Sequence, residues 1–305
     1  MKPILVAGVG EPAGKTAVIA AIAALTLAQG KTASYLKLGS LEDADVRFMR
    51  EAVGVPAVAG QRPRPADVVL AEWPGPLDSV ADAARALDAG VVTVIRYRQG
   101  LTAAGLEELL ATVGPEAKAV FNAVPERIMP LFEARVASPL RTGGVEVLGL
   151  IPESRSLLGF TVGELVRGLD AAFLVNPGNE DALIESLMLG ANAPDPAVSY
   201  FGLRPHSAVI CRSDRPDIQL AALDNPIRCL VFCGGGYRQT SVLHRAEDLG
   251  VAVVEVQTGV LETVALLNTV AAQVRFRQAA KVAIAQQLIG GHLDLARVFA
   301  VRVPA

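Results

Sequence analysis

The sequence predicts an α/β fold: a mostly parallel sheet, followed by a smaller α/β domain. Three observations carry this. Short apolar runs alternate with helical stretches along the chain, the pattern of successive βαβ units. Hydrophobic residues make up 51% of the 305 and charged ones 19%, enough to build a sizeable core. Near the start, an apolar strand runs into a glycine-bearing turn that opens an Ala-rich helix.

In the first half, strands are expected at 4–6, 33–37, 68–72, 91–96, 119–122 and 147–151. Helices are expected near 15–29, 44–53, 79–89, 105–113 and 128–138. The segment 152–160 follows a strand and carries Pro, Glu, Ser and Gly, so the domain break is placed there. This gives a first domain of 1–152 and a second of 153–305. In the second half, strands are expected at 171–175, 208–211, 229–233 and 251–256. Helices are expected near 162–169, 216–223, 240–249, 261–275 and, closing the chain, 278–289. The proline-bearing stretch 192–205 reads as an ordered surface loop.

Composition narrows the function. The formal net charge is −3 with no basic block, which argues against nucleic acid as a partner. Mean hydropathy is +0.40, yet the longest apolar stretch, 16–29, is about 14 residues and too short to span a bilayer. The N-terminus, MKPILVAGVGEPAGK, lacks the apolar core and cleavage site of a signal peptide. A cytoplasmic protein with no membrane partner is expected. Three cysteines cannot make a disulfide framework; Cys211 and Cys229 sit in apolar runs and Cys233 ends one, so buried thiols are expected. His206, His244 and His292 are scattered without metal-ligand spacing.

The chemistry-bearing segment is 4–20, ILVAGVGEPAGKTAVIA. Glycines let backbone N–H groups point inward, a helix N-terminus adds partial positive charge, Lys15 adds a full one, and Thr16 offers a hydroxyl to Mg²⁺. This is the construction of a phosphate-binding loop, and with the βαβ pattern it makes the first domain P-loop NTPase-like. Val9 stands where the usual spacing has its first glycine; Gly8, five residues before Gly14, gives the longer form Gly-x5-Gly-Lys-Thr.

That longer form resembles the loop of dethiobiotin synthetases. Further segments carry the resemblance: SYLKLGS (34–40), the acidic run Glu42-Asp43-Ala44-Asp45, DVVLAEWPGP (67–76), AVFNAVPE (119–126) and VLGLIPES (147–154). It implies ATP and Mg²⁺ as cofactors. Gly8, Gly10, Glu11, Pro12, Ala13, Gly14, Lys15 and Thr16 would hold the phosphates, and Asn122 and Pro152 would flank the base. Thr16, Asp45 and Glu72 would hold Mg²⁺. Were the chain an enzyme, Lys15 and Lys37 would be its catalytic cations. Leu38 replaces the family's proline, and Trp73 stands where the family has glycine, crowding the acceptor side.

From about Arg141 the chain resembles the DRTGG domain, which accompanies a dethiobiotin-synthetase-like domain in the N-terminal region of long phosphotransacetylases and occurs in shorter stand-alone proteins. LGLIPESRSL and TVGEL (148–165), ICRSDRPDIQLAAL (210–223), LVFCGGG (230–236) and the segment 274–295 carry this likeness. Independently of it, Ser213, Asp214, Arg215 and Asp217 join a strand end to a helix start, and Gly234 and Gly235 end the next strand. In a parallel sheet both turns share the carboxyl edge, where an anion could be held.

Together these features imply a nucleotide-binding regulatory or sensor protein without acetyl transfer, whose second domain takes a small-molecule effector or a partner protein. The alternative is an ATP-dependent synthetase or ligase related to dethiobiotin synthetase or the cobyrinic acid amidating enzymes. A scaffold with a vestigial loop is a third reading. A homodimer is expected, since dethiobiotin synthetases pair through this domain.

Overall fold

A computed structural model of the chain describes residues 2–10, 12–39, 44–114, 118–191 and 194–301. The fold is α/β, with two compact units: Met1–Ser154 together with Lys281–Ala305, and Arg155–Ala280.

The first unit is built on seven strands: β1 (Ile4–Val9), β2 (Ala33–Leu38), β3 (Ala57–Gly60), β4 (Val68–Glu72), β5 (Gly90–Arg96), β6 (Lys118–Val124) and β7 (Glu146–Pro152). They form one sheet in the order β3-β2-β4-β1-β5-β6-β7, and every pairing is parallel. Such strands are covered on both faces, and Ile4, Leu5, Val6 and Leu70 are fully buried. β3 escaped the sequence reading: its Ala-Val-Ala-Gly has one branched side chain to mark it. After β1 the chain moves to one side of the sheet, and at β5 it crosses to the other. The carboxyl end of β1 is therefore at a switch of direction, the place where α/β sheets bind ligands.

The helix Lys15–Ala28 starts at that point and buries Ala17 through Ala23. Its small side chains let it lie close to the sheet. Under the opposite face, Phe132 meets Phe121 and Tyr97 edge-on, with ring centroids 5.0 and 5.7 Å away.

Residues 281–305 were expected in the second domain but belong with the first unit. Leu293 bridges to Gly149 of β7. Gly290 lies against Leu25, and Val301 packs so tightly on Gly90 that a Cβ there would lie 2.4 Å from its Cγ2. Local apolar pattern shows that this segment needs a partner; it does not show which sheet supplies one.

The second unit holds β8 (Phe160–Thr161), β9 (Ala172–Val175), β10 (Leu183–Ile184), β11 (Ser186–Leu189), β12 (Ser207–Arg212), β13 (Cys229–Cys233) and β14 (Ala252–Val256). Five form a sheet ordered β11-β12-β13-β14-β9, and β8 pairs with β10. Only β9 runs antiparallel in the five-stranded sheet. Phe201, Ile218, Phe232 and Val242 fill one core cluster; Leu165, Ile210, Val254 and Leu267 fill another. The short β8, β10 and β11 were not foreseen. The stretch read as a loop contains a helix, Pro194–Gly202. Its prolines fall in the first turn, where the missing N–H has no intrahelical acceptor to lose. The helix Val162–Leu169 is opened by a full capping box between Thr161 and Glu164.

Candidate functional site

The loop between β1 and the first helix is shaped by its glycines. Gly10 and Gly14 have φ of +84° and +89°, the region L side chains avoid. Gly8 has an ordinary φ and a different reason. A Cβ there would lie 2.8 Å from Ala13 Cβ and 2.9 Å from Lys15 Cδ, so its bare backbone makes room for the lysine stem. Asn122, at the end of β6, donates to Ala13 O at 2.9 Å. A Cβ on Gly14 would come within 2.1 Å of its Nδ2. Ala123, the next residue, has φ +57°, and the β6–β7 register is irregular there. The strand end is thus bent where Asn122 reaches the loop. Arg96, at the end of β5, holds Pro12 O at 3.2 Å.

Lys15 turns back from the helix start and donates to Trp73 O at 2.6 Å. Thr16 Oγ1 stands 3.3 Å from Glu72 Oε2, and Tyr35 donates to the same oxygen at 2.8 Å. Lys37 lies between two carboxylates, 2.9 Å from Glu72 Oε1 and 2.9 Å from Asp45 Oδ2. All three charged groups are buried. Burial works to lower the Lys37 pKa, but Glu72 and then Asp45 outweigh it by charge and hydrogen bonding, so the ammonium sits above its ordinary value.

The structure therefore brings together Gly8, Gly10, Pro12, Ala13, Gly14, Lys15, Thr16, Lys37, Asp45, Glu72 and Asn122 at the carboxyl ends of β1, β2, β4 and β6. Pro152 ends β7, in register with Val124. Glu11, and Glu42 and Asp43 of the acidic run, lie outside the described residues. Among the described residues no group of three or more His, Cys, Asp or Glu side chains forms a metal-holding set; Thr16 and Glu72 meet directly, and Asp45 joins them through Lys37. The Trp73 ring folds over Gly75 and donates to Pro76 O at 2.8 Å. Tyr35, Arg96 and the Trp73 carbonyl were not foreseen. Each acts through strand neighbours distant in sequence; Tyr35 falls within SYLKLGS, but nothing local marks its bond to Glu72.

In the second unit the ends of β12, β13 and β14 share one edge. A cavity of 770 Å³ opens there, lined by Ser213, Asp214, Gly234 and Gly235 of the predicted set and by the stretch from Gly259 to Glu262. Arg215 and Asp217 are not in its lining; they pair with each other at 2.9 Å at the start of the next helix. Arg212, which does line it, holds Asp214 at 2.8 Å. Ser213 donates to Gly235 O, tying the two turns together. The three thiols are buried, and burial pushes Cys211 up to about 12 and raises Cys229 and Cys233 as well.

Fold and site define a two-unit α/β protein with a glycine loop in one unit and a glycine-edged cavity in the other. Residues 164–270 match the DRTGG domain family. The match begins well after Arg141, which lies in the helix Ser138–Thr142 of the first unit and outside the matched domain. Among solved structures, the CBS and DRTGG domains of the regulatory region of Clostridium perfringens pyrophosphatase, complexed with the activator diadenosine tetraphosphate, share 12% identity. The likeness covers 44% of this chain and 67% of that one, with a TM-score of 0.33. A glycosyltransferase from Rickettsia africae shares 11% identity over 98% of this chain and 96% of its own, with a TM-score of 0.29. No helix among the described residues is long and apolar enough to cross a membrane.

Proposed function

We propose that the chain is a nucleotide-binding regulatory protein that takes ATP with Mg²⁺ at the glycine loop of its first unit and passes the signal on through its DRTGG-containing unit. The observation that supports this most is the placement of Lys15. Its ammonium opens a 14-residue helix at the switch of the parallel sheet and rests on a backbone carbonyl, Trp73 O, that a phosphate oxygen can replace. First-turn amides of such a helix have no intrahelical acceptor and suit an anion. Arg96 adds a second cation beside the loop. The donor set fits a hard cation: the Thr16 hydroxyl and the Glu72 carboxylate are neighbours, and Asp45 is one lysine away. Bound Mg²⁺ would neutralise phosphate charge there. Asn122 and Pro152 would border the base.

Trp73 disfavours the synthetase reading, since its ring and the 73–76 turn occupy the strand end where an acceptor would lie. A homodimer, and an effector or partner at the second unit, belong to the same proposal.

The test is titration with ATP and with GTP, each with and without Mg²⁺, followed by the fluorescence of Trp73, the one tryptophan of the chain. A saturable change with ATP and Mg²⁺ that vanishes in Lys15→Ala is expected. No change and no calorimetric heat with either nucleotide would overturn the reading.

A further inference from the structure

Glu72 ends β4 and is 3% exposed. Its carboxylate is where two elements meet. From β2, Lys37 lies 2.9 Å from Oε1, and Tyr35 donates to Oε2 at 2.8 Å. From the start of the helix Lys15–Ala28, Thr16 Oγ1 stands 3.3 Å from the same Oε2. Tyr35 and Lys37 are two residues apart on one strand, so both side chains leave the same face of the sheet. The register sets Lys37 opposite Glu72 and Tyr35 opposite Leu70. The phenol therefore reaches along the sheet from below the acid to its end. Tyr35 is fully buried, and a buried hydroxyl needs an acceptor.

The two carboxylate oxygens are drawn in different directions. Lys37 also bonds Asp45 Oδ2, at 2.9 Å. One ammonium thus faces two carboxylates, and these three groups together keep a net negative charge, which suits a cation. That charge serves the loop only while Oε2 stays beside Thr16. The terminal torsion of a glutamate is broad and gives no such guarantee. A charge-assisted bond to Lys37 is also stronger than a neutral bond to Thr16. Held by Thr16 alone, the carboxylate would turn both oxygens toward the ammonium. The shorter bond from Tyr35 opposes that turn. A phenol is neutral, so it orients the acid without cancelling its charge. A carboxylate has roughly four acceptor sites, and Tyr35, Thr16 and Lys37 leave it room for a further partner.

We propose that Tyr35 is a positioning residue for the cation: its phenol fixes Glu72 Oε2 on the Thr16 side and away from Lys37. The inference rests on the reading of the glycine loop as an ATP and Mg²⁺ site, and it names the residue that makes that site respond to the metal. Tyr35 acts through Glu72 and contacts neither nucleotide nor metal.

The experiment is calorimetric titration of the full chain with ATP, once in excess Mg²⁺ and once in EDTA. The quantity read is the ratio of the two Kd values. Tyr35→Phe keeps the ring in its buried slot and removes only the hydroxyl; urea unfolding followed by Trp73 fluorescence checks that the first unit still folds. The groups that orient a metal ligand typically change metal affinity by about 10–100-fold when lost, so Tyr35→Phe is expected to weaken ATP about tenfold in Mg²⁺ and by less than about twofold in EDTA. Glu72→Gln should lower the ratio as well, and adding Tyr35→Phe to it should move the ratio no further. A ratio unchanged in Tyr35→Phe would overturn the inference and leave the ATP and Mg²⁺ reading standing. Equal weakening in both arms would overturn it too, since that is what a purely structural tyrosine does. So would a further drop in the Glu72→Gln background, because Tyr35 would then act by another route. A wild-type chain that binds no ATP in either arm, or binds it equally in both, overturns the metal-bound reading itself and this inference with it.

Discussion

Replacing Gly14 by alanine tests whether Asn122 and the glycine loop are one mechanical unit. The backbone at Gly14 has φ +89°, which costs an L side chain about 1–2 kcal/mol. The added methyl would also lie 2.1 Å from Asn122 Nδ2, displacing the amide from Ala13 O and removing a bond worth about 1 kcal/mol net. Gly14→Ala alone should therefore destabilise the first unit by about 2–3 kcal/mol. Asn122→Ala alone should cost about 1 kcal/mol. In the double variant the bond is already gone and the methyl has room, so only the backbone strain adds to it. The total should again be about 2–3 kcal/mol, roughly 1 kcal/mol short of the sum of the singles. The assay is urea unfolding read by Trp73, which sits in the first unit and is the chain's sole tryptophan. The transition then reports on that unit alone, which matters in a two-unit chain. If the double variant equals the sum of the singles within about 0.3 kcal/mol, the two residues are uncoupled and the reasoning fails.

Three other outcomes are expected. Lys37→Met strips the shared cation from Glu72 and Asp45, leaving buried carboxylates uncompensated, and should cost about 3–5 kcal/mol at pH 7 by the same urea assay. The folded-state pKa of Lys37 is raised above its ordinary 10.5, so its contribution is fully present below 10.5 and is lost as pH rises through the higher folded value. The wild-type advantage over Lys37→Met should shrink through that alkaline window; an advantage unchanged there would count against the ion cluster. Cys211, Cys229 and Cys233 are buried, so a thiol-reactive dye should label none of them rapidly at pH 8 until denaturant is added; fast native labelling would contradict the packing. Thr161→Ala removes half of the capping box at Val162–Leu169 and should cost the second unit about 1 kcal/mol in thermal or urea unfolding read by circular dichroism.

The sequence disclosed those parts of the molecule that rest on local pattern. Strand, glycine turn and Lys15-Thr16 at a helix start lie within a few residues of one another, so the spacing alone announced the loop. Lys37 and Glu72 were legible as strand ends, and the structure sets them in register across β2 and β4. Ser213 and Gly234 were legible as turns on one edge. What stayed hidden depends on which strands become neighbours. Arg96 reaches Pro12 because β5 lies beside β1, and Tyr35 reaches Glu72 because β4 inserts next to β2. The cavity lining from Gly259 to Glu262 depends on β14 packing beside β13. The short β10 and β11 carry Leu-Ile and Ser-Leu-Met-Leu, too brief for periodicity to separate them from loop or helix. Two of the prolines that make 192–205 read as a loop fall in the first turn of the helix Pro194–Gly202, where proline is tolerated.

The return of residues 281–301 to the first sheet bears on how that sheet is made. The second unit is an insertion in the chain of the first, so the ribosome delivers Leu293 and Val301 long after Gly149 of β7 and Gly90 at the start of β5, which they cover. Until then Gly149 and Gly90 lack their cover, and contacts spanning well over 100 residues must close last, a slow kind of step. A fragment ending at residue 154 would lack these final pieces. The intact chain, rather than its first half, is the unit that completes the glycine-loop domain.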